Sequence, residues 1–158
     1  MTPEASFTDA ALRQWKQQAD RTAKILHALS DEQLQQPVAP GKNRLSYLFG
    51  HLLAINDAML PLLGLGARQH PELDAIYLAA PDRTQPQTLA AAELKQQWDQ
   101  NAEALWTAFN TLTPAQWLER HTAVSEEDFA REPHRNRFAI LLGRTAHLAY
   151  HAGQIKLV

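Results

Sequence analysis

Apolar residues return at three- and four-residue steps in three separate stretches of the chain. In the first, Leu12, Trp15, Ala19, Thr22, Ile25, Leu26 and Leu29 keep this spacing. Such a stripe marks one face of an amphipathic helix, predicted to start after a Thr8 cap and to stop near Ser30. In the second stretch, Leu45, Leu48, Phe49, Leu52, Leu53, Ile55, Met59 and Leu60 cover more than half the circumference of a helix over 44–63. That helix should be largely buried, and Pro61, lacking an N–H, should kink or end it. The third stripe, Leu89, Leu94, Trp98, Ala102, Leu105, Trp106 and Phe109, predicts a helix over 88–112. A fourth helix runs from about Asn136 to the C-terminus. No stretch alternates with a period of two, so no strand is expected.

The breaks between these stretches carry the turn chemistry. Pro37, Pro40 and Gly41 punctuate the first connection, and Pro114 and Pro133 lie in a polar segment after the third helix. The connection over 65–88 is long and rich in Gly and Pro, with room for one helical turn at 73–78. So long a connection in a compact fold suggests a lid or binding loop. A weak internal repeat is also visible. ALSDEQLQQ followed by NRLSYLFGH parallels TLTPAQWLER followed by NRFAILLGR. Two helical hairpins related by a pseudo-two-fold axis build a four-helix bundle. The expected fold is therefore an all-α four-helix bundle, one domain over 1–158, with a long connection between helices two and three.

Composition narrows the chemistry. Only 6 of 158 residues are glycine, which suits helix, and 45% are apolar, close to the globular average. There is no cysteine, which removes disulfides, thiolate metal sites and a cysteine nucleophile. A transition metal would have to be held by imidazole, carboxylate or water. The net charge is −2 with no run of Lys or Arg, so neither nucleic acid nor anionic lipid is an expected partner. No apolar stretch reaches the roughly 20 residues that span a bilayer. The first residues lack the basic and apolar regions of a secretory leader, so a cytoplasmic protein is expected.

Three of the seven histidines stand in unusual surroundings. His147 and His151, in RTAHLAYHAGQ, are four residues apart. On a helix they project from one face a turn apart, close enough to reach one ion. His51, in SYLFGHLLAIND, lies on the most apolar helix, sharing a face with Leu48 and Ile55. With helices two and four side by side, it can meet the pair across the gap. Three neutral imidazoles with open positions is the pattern of a catalytic metal site. A chance His pair and a hydrogen-bonded core histidine explain the same residues, and both readings stand at this point. His27, His70, His121 and His134 are read as solvated, with His70 and His134 beside prolines that could line a pocket. Arg44, Arg137 and Arg144 are carboxylate binders or solvated surface, and Asp57 is a partner that supports the ligands or a helix-surface charge, the surface being the preferred reading.

GHLLAINDAML on helix two and HLAYHAGQI on helix four resemble the DinB/YfiT-like superfamily. That resemblance implies a four-helix bundle with His51, His147 and His151 as ligands of a divalent metal, zinc or nickel, and Gly153-Gln154 as the pair that often follows the second histidine. Members of the superfamily include metal-dependent transferases that use low-molecular-weight thiols such as bacillithiol or mycothiol, and a thiol-dependent isomerase. The implied function is thus a thiol S-transferase or, through metal-activated water, a hydrolase, acting on a small molecule. A thiol cosubstrate agrees with a chain that has no cysteine of its own. The competing reading is a non-catalytic, stress-associated metal-binding or dimerisation module, and a homodimer is compatible with either.

Overall fold

A computed structural model describes residues 2–85 and 88–158. In chain order the helices are α1 (Pro3–Ala28), α2 (Asp31–Leu34), α3 (Leu45–Asp57), α4 (Met59–Leu62), α5 (Leu73–Tyr77), α6 (Ala91–Phe109), α7 (Pro114–Trp117), α8 (Glu126–Arg131) and α9 (Arg137–Ile155). The described residues contain no strand, only two isolated bridges. The fold is all-α, and its frame is the four long helices α1, α3, α6 and α9. α1 packs most closely on α9 and α3 on α6, with α1 against α6 and α3 against α9 completing the ring. The α3–α9 seam is the loosest of the four.

Aromatic side chains tie the ring together. Trp15 of α1 meets Phe109 of α6 edge to face at 4.8 Å between centroids. Phe109 in turn meets Trp117 of α7 at 5.5 Å, and Phe49 of α3 meets Trp98 of α6 at 5.8 Å. Trp15, Phe49, Phe109 and Trp117 are fully buried. Each such side chain contributes about 1.5–3 kcal/mol through burial. The edge-to-face geometry adds the attraction between a ring's positive rim and its neighbour's negative face.

Several boundaries differ from the expected ones for local reasons. α1 begins at Pro3, not after Thr8. Thr2 caps it by accepting from the Ala5 N–H, and Pro3 fits the first helical turn, where its missing N–H costs nothing. Thr8 is buried inside the helix, its hydroxyl donating to the Glu4 carbonyl at 2.8 Å. Helix two is broken at Ala58 into α3 and α4. Pro61 has no N–H to donate to the carbonyl of Asp57 four residues back, so the helix lapses there. The polar segment after α6 carries two short helices, α7 and α8, and the first connection carries α2.

The internal repeat is built into the structure. Ser30 and Gln33 form a reciprocal capping box that opens α2, and Thr113 and Gln116 form the same box at α7. After each short helix the chain makes one antiparallel bridge, Pro37 with Arg44 and Arg120 with Asn136. The Leu45 N–H donates to the Gln36 carbonyl, and the Arg137 N–H donates to the Glu119 carbonyl. Each half thus enters its second long helix, α3 or α9, through one such bridge, closed over 38–43 in the first half and over 121–135, with α8, in the second. The two histidine-bearing helices are the equivalent members of the two halves.

A candidate metal centre between α3 and α9

α9 is started by Asn136, whose side-chain oxygen accepts the Ala139 N–H at 2.9 Å. Its buried stripe, Leu141, Leu148, Ala152 and Ile155, faces the interior. His147 and His151 are offset from that stripe and turn toward α3, where His51 meets them. All three are half-buried, and one nitrogen from each lies within 4.8 Å of the others. Ring centroids are 5.3 Å apart for His51 and His147, 5.4 Å for His51 and His151, and 4.6 Å for His147 and His151.

Hydrogen bonds at the far side of two rings set their tautomers. His51 Nδ1 is 3.1 Å from the Tyr77 carbonyl oxygen, which can only accept. Nδ1 therefore carries the proton and Nε2 presents a lone pair. His151 Nδ1 is 2.7 Å from Gln154 Oε1, with the same consequence. Metal-bound histidines are commonly oriented in this way by an acceptor on the other nitrogen. His151 Nε2 and His147 Nε2 are 3.0 Å apart. Two imidazoles bound to one ion at about 2.0–2.1 Å place their nitrogens roughly 3.0–3.4 Å apart, so this pair already has the required spacing. The donor set fits a borderline cation such as zinc or nickel.

Electrostatics favours lone pairs over protons here. His147 is pushed down to about 4 by burial, then by His151, His51 and the nearby Arg144 charge. His151 is also lowered, by burial and by His51, against the opposing pull of Gln154. Both are neutral at pH 7, so each can offer a lone pair to a cation once the proton between the two Nε2 atoms shifts to His147 Nδ1.

Behind the site, α5 comes unusually close to α3. A Cβ at Gly50 would stand within 2.5 Å of the Tyr77 ring, so only glycine admits this approach. Tyr77 is held at its other end by the Leu89 N–H, which donates to its hydroxyl at 2.9 Å. In front, His151 lines a cavity of about 440 Å³ with Val38, Lys42, Leu48, Tyr150 and Gln154. The expected cleft beneath the 65–88 connection is not where this cavity lies. It opens beside the 38–43 turn, because the long connection is bonded down along α3.

The remaining candidates fall elsewhere. Asp57 is not a surface charge: it has no exposure and accepts from Arg68 Nε, the Gln69 and His70 N–H groups, and Asn101 Nδ2. His121 is buried rather than solvated, and desolvation lowers it. His27 pairs with Asp99 at 2.9 Å, His70 approaches Glu72, and His134 is exposed. Arg44 is bound to Asp82 at 2.7 Å and Arg137 to Glu119 at 2.9 Å, so neither is simply solvated. Arg144 is half-buried and, among the described residues, has no such partner; burial alone lowers it. The roles of the Tyr77 carbonyl and of Gln154 were not foreseen. Gln154 follows His151 by three residues, which is a readable signal, whereas a backbone carbonyl leaves no mark on the sequence.

A ring of four helices with three imidazoles converging across one seam defines a class of helical bundle that could hold a metal ion. The sequence model of the DinB superfamily matches residues 14–155, and the chain belongs to that superfamily. No curated protein matches it. No helix among the described residues is long and apolar enough to cross a membrane.

Proposed function

We propose that this protein is a metal-dependent enzyme that binds one divalent transition ion, zinc or nickel, through His51, His147 and His151, and transfers a low-molecular-weight thiol to a small electrophilic molecule. The observation that carries this reading is the convergence of three imidazole nitrogens, two of them freed by Nδ1–H bonds to Tyr77 and Gln154, beside an open cavity. An ion bound there supplies a Lewis-acid position that favours the thiolate form of a bound thiol. The chain's own residues do the rest. Tyr77 and Gln154 hold the rings in register, and the loose α3–α9 seam leaves access from one side. Val38, Leu48 and Tyr150 give the cavity an apolar wall for the electrophile. The nucleophilic sulfur comes from the cosubstrate, in keeping with the absence of cysteine. Such a reaction belongs in the cytoplasm, where small thiols are kept reduced.

The test is elemental analysis of untagged protein beside His51→Ala, His147→Ala and His151→Ala. Near one equivalent of metal in the parent and its loss in each variant is the expected result. Full retention in all three variants would sink the reading. Metal-loaded protein is then assayed for conjugation of bacillithiol and mycothiol to electrophiles. Ester and amide hydrolysis without thiol transfer would redirect the proposal to metal-activated water.

A further inference from the structure

The α3–α9 seam has two ends, and they differ. α3 and α9 run antiparallel: Leu48 shares the cavity with His151 and Gln154, while Gly64, beyond the far end of α3, faces Arg137. The histidines sit midway. Toward the Arg137 end the next long polar side chain on the same flank of α9 is Arg144. It precedes His147 by three residues and His151 by seven, about 4.5 Å and about 10 Å along the axis.

Among the described residues, Arg144 is the arginine of α9 without a carboxylate partner. Arg44 is bound to Asp82 and Arg137 to Glu119. α9 contains no acidic residue, and the single carboxylate of α3, Asp57, is consumed by Arg68, Asn101 and two backbone amides. A half-buried guanidinium has shed part of its hydration, and without a counter-charge that loss is uncompensated.

We propose that Arg144 binds the carboxylate of a short anionic substrate whose sulfur or oxygen atom sits on the metal held by the three histidines. The proposal rests on the metal reading above. A planar carboxylate suits one guanidinium, whose forked N–H groups grip both oxygens. A phosphate dianion would call for a second cation or a helix N-terminus, and that of α9 lies about 10 Å away. The site thereby selects carboxylate-bearing small thiols or electrophiles over neutral ones of the same size.

Cobalt-loaded protein tests this without turnover. Thiolate-to-cobalt charge-transfer absorption is titrated with 3-mercaptopropionate and with 2-mercaptoethanol, for the parent, Arg144→Met and Arg144→Lys. Cobalt uptake of one equivalent by each protein shows that it is folded. The parent should bind 3-mercaptopropionate about tenfold more tightly than 2-mercaptoethanol, the scale of one charge-assisted contact. Arg144→Met should lose that preference and keep its affinity for 2-mercaptoethanol within about twofold. Arg144→Lys, with the charge but not the fork, should keep only about threefold. A parent without preference, or a preference unchanged in either variant, overturns the assignment while the metal site stands. A parent that takes up no cobalt removes the metal reading, and this proposal with it.

Discussion

Replacing Gly50 by alanine tests how the site is supported from behind. The added methyl would stand within 2.5 Å of three Tyr77 ring atoms, closer than van der Waals contact allows. Tyr77 cannot swing away freely. It is 1% exposed, its hydroxyl accepts the Leu89 N–H, and its ring lies 5.7 Å from that of Tyr47. Overpacking of this kind costs about 1–3 kcal/mol. Against it stands the gain of about 1 kcal/mol when alanine replaces glycine inside a helix. The overlap with three ring atoms puts the cost at the upper end of that range, so a net loss of about 2 kcal/mol follows, read as a lower urea midpoint with an unchanged slope. Because the Tyr77 carbonyl orients His51, metal affinity should fall about 10- to 100-fold as well. A double-mutant cycle isolates the cause. With Tyr77→Leu in place, Gly50→Ala should turn neutral or stabilising by up to about 1 kcal/mol. Equal destabilisation in both backgrounds, or no loss in the single variant, would refute the reasoning.

Two further perturbations address the buried polar groups. Asp57→Asn keeps the shape but turns an NH2 toward donors that now meet a carboxylate, and leaves Arg68 with Asp74 and the Ala54 carbonyl as its partners. A loss of about 1–3 kcal/mol is expected, with faster hydrogen exchange at Gln69 and His70; a loss below about 0.5 kcal/mol would contradict the network. The metal-free protein should weaken in mild acid. His147 is lowered from 6.5 to about 4 in the fold, so the unfolded chain takes up its proton first. This contribution is fully present above pH 6.5, declines as pH falls, and is gone below about pH 4. Discounted for partial exposure, it is on the order of 1–2 kcal/mol. Urea titrations at pH 7.5 and 4.5 should show a smaller pH effect in His147→Gln than in the parent, and an identical effect would exclude His147 as the source.

What could be read beforehand and what could not divides along physical lines. Periodicity reports which face of a helix is buried, so the stripes of α1, α3 and α6 were legible. The pairing of His147 with His151 was equally plain, being a matter of helical spacing. Helix ends follow from single hydrogen bonds, and there Thr2 and Thr8 are equally plausible caps on paper. Only the fold shows that the Thr8 hydroxyl is spent on the Glu4 carbonyl. Asp57 was misread because its partners lie 11–13 residues away in an irregular segment and 44 residues away on α6. No local pattern announces a carboxylate that serves as the hub of distant backbone amides. The repeat was visible as letters, but its content, a capping box followed by one bridge, is a property of the backbone.

The long connection after α4 gains a definite role from these contacts. It is fastened along α3 at successive turns, in reverse order. Asp57 grips residues 68–70, His51 bonds the Tyr77 carbonyl, the Tyr47 hydroxyl donates to the Ala80 carbonyl, and Arg44 holds Asp82. A segment anchored at four points over one helix is a strap, and opening it would expose a fully buried carboxylate and the buried Tyr77 at once. The side of α3 that carries the strap is therefore closed, and His51 owes its orientation to it. The cavity that His151 lines opens instead beside the 38–43 turn and the end of α9. Rigidity behind the histidines and openness before them are thus produced by the same helix, whose two flanks face a fixed strap and a loosely packed neighbour.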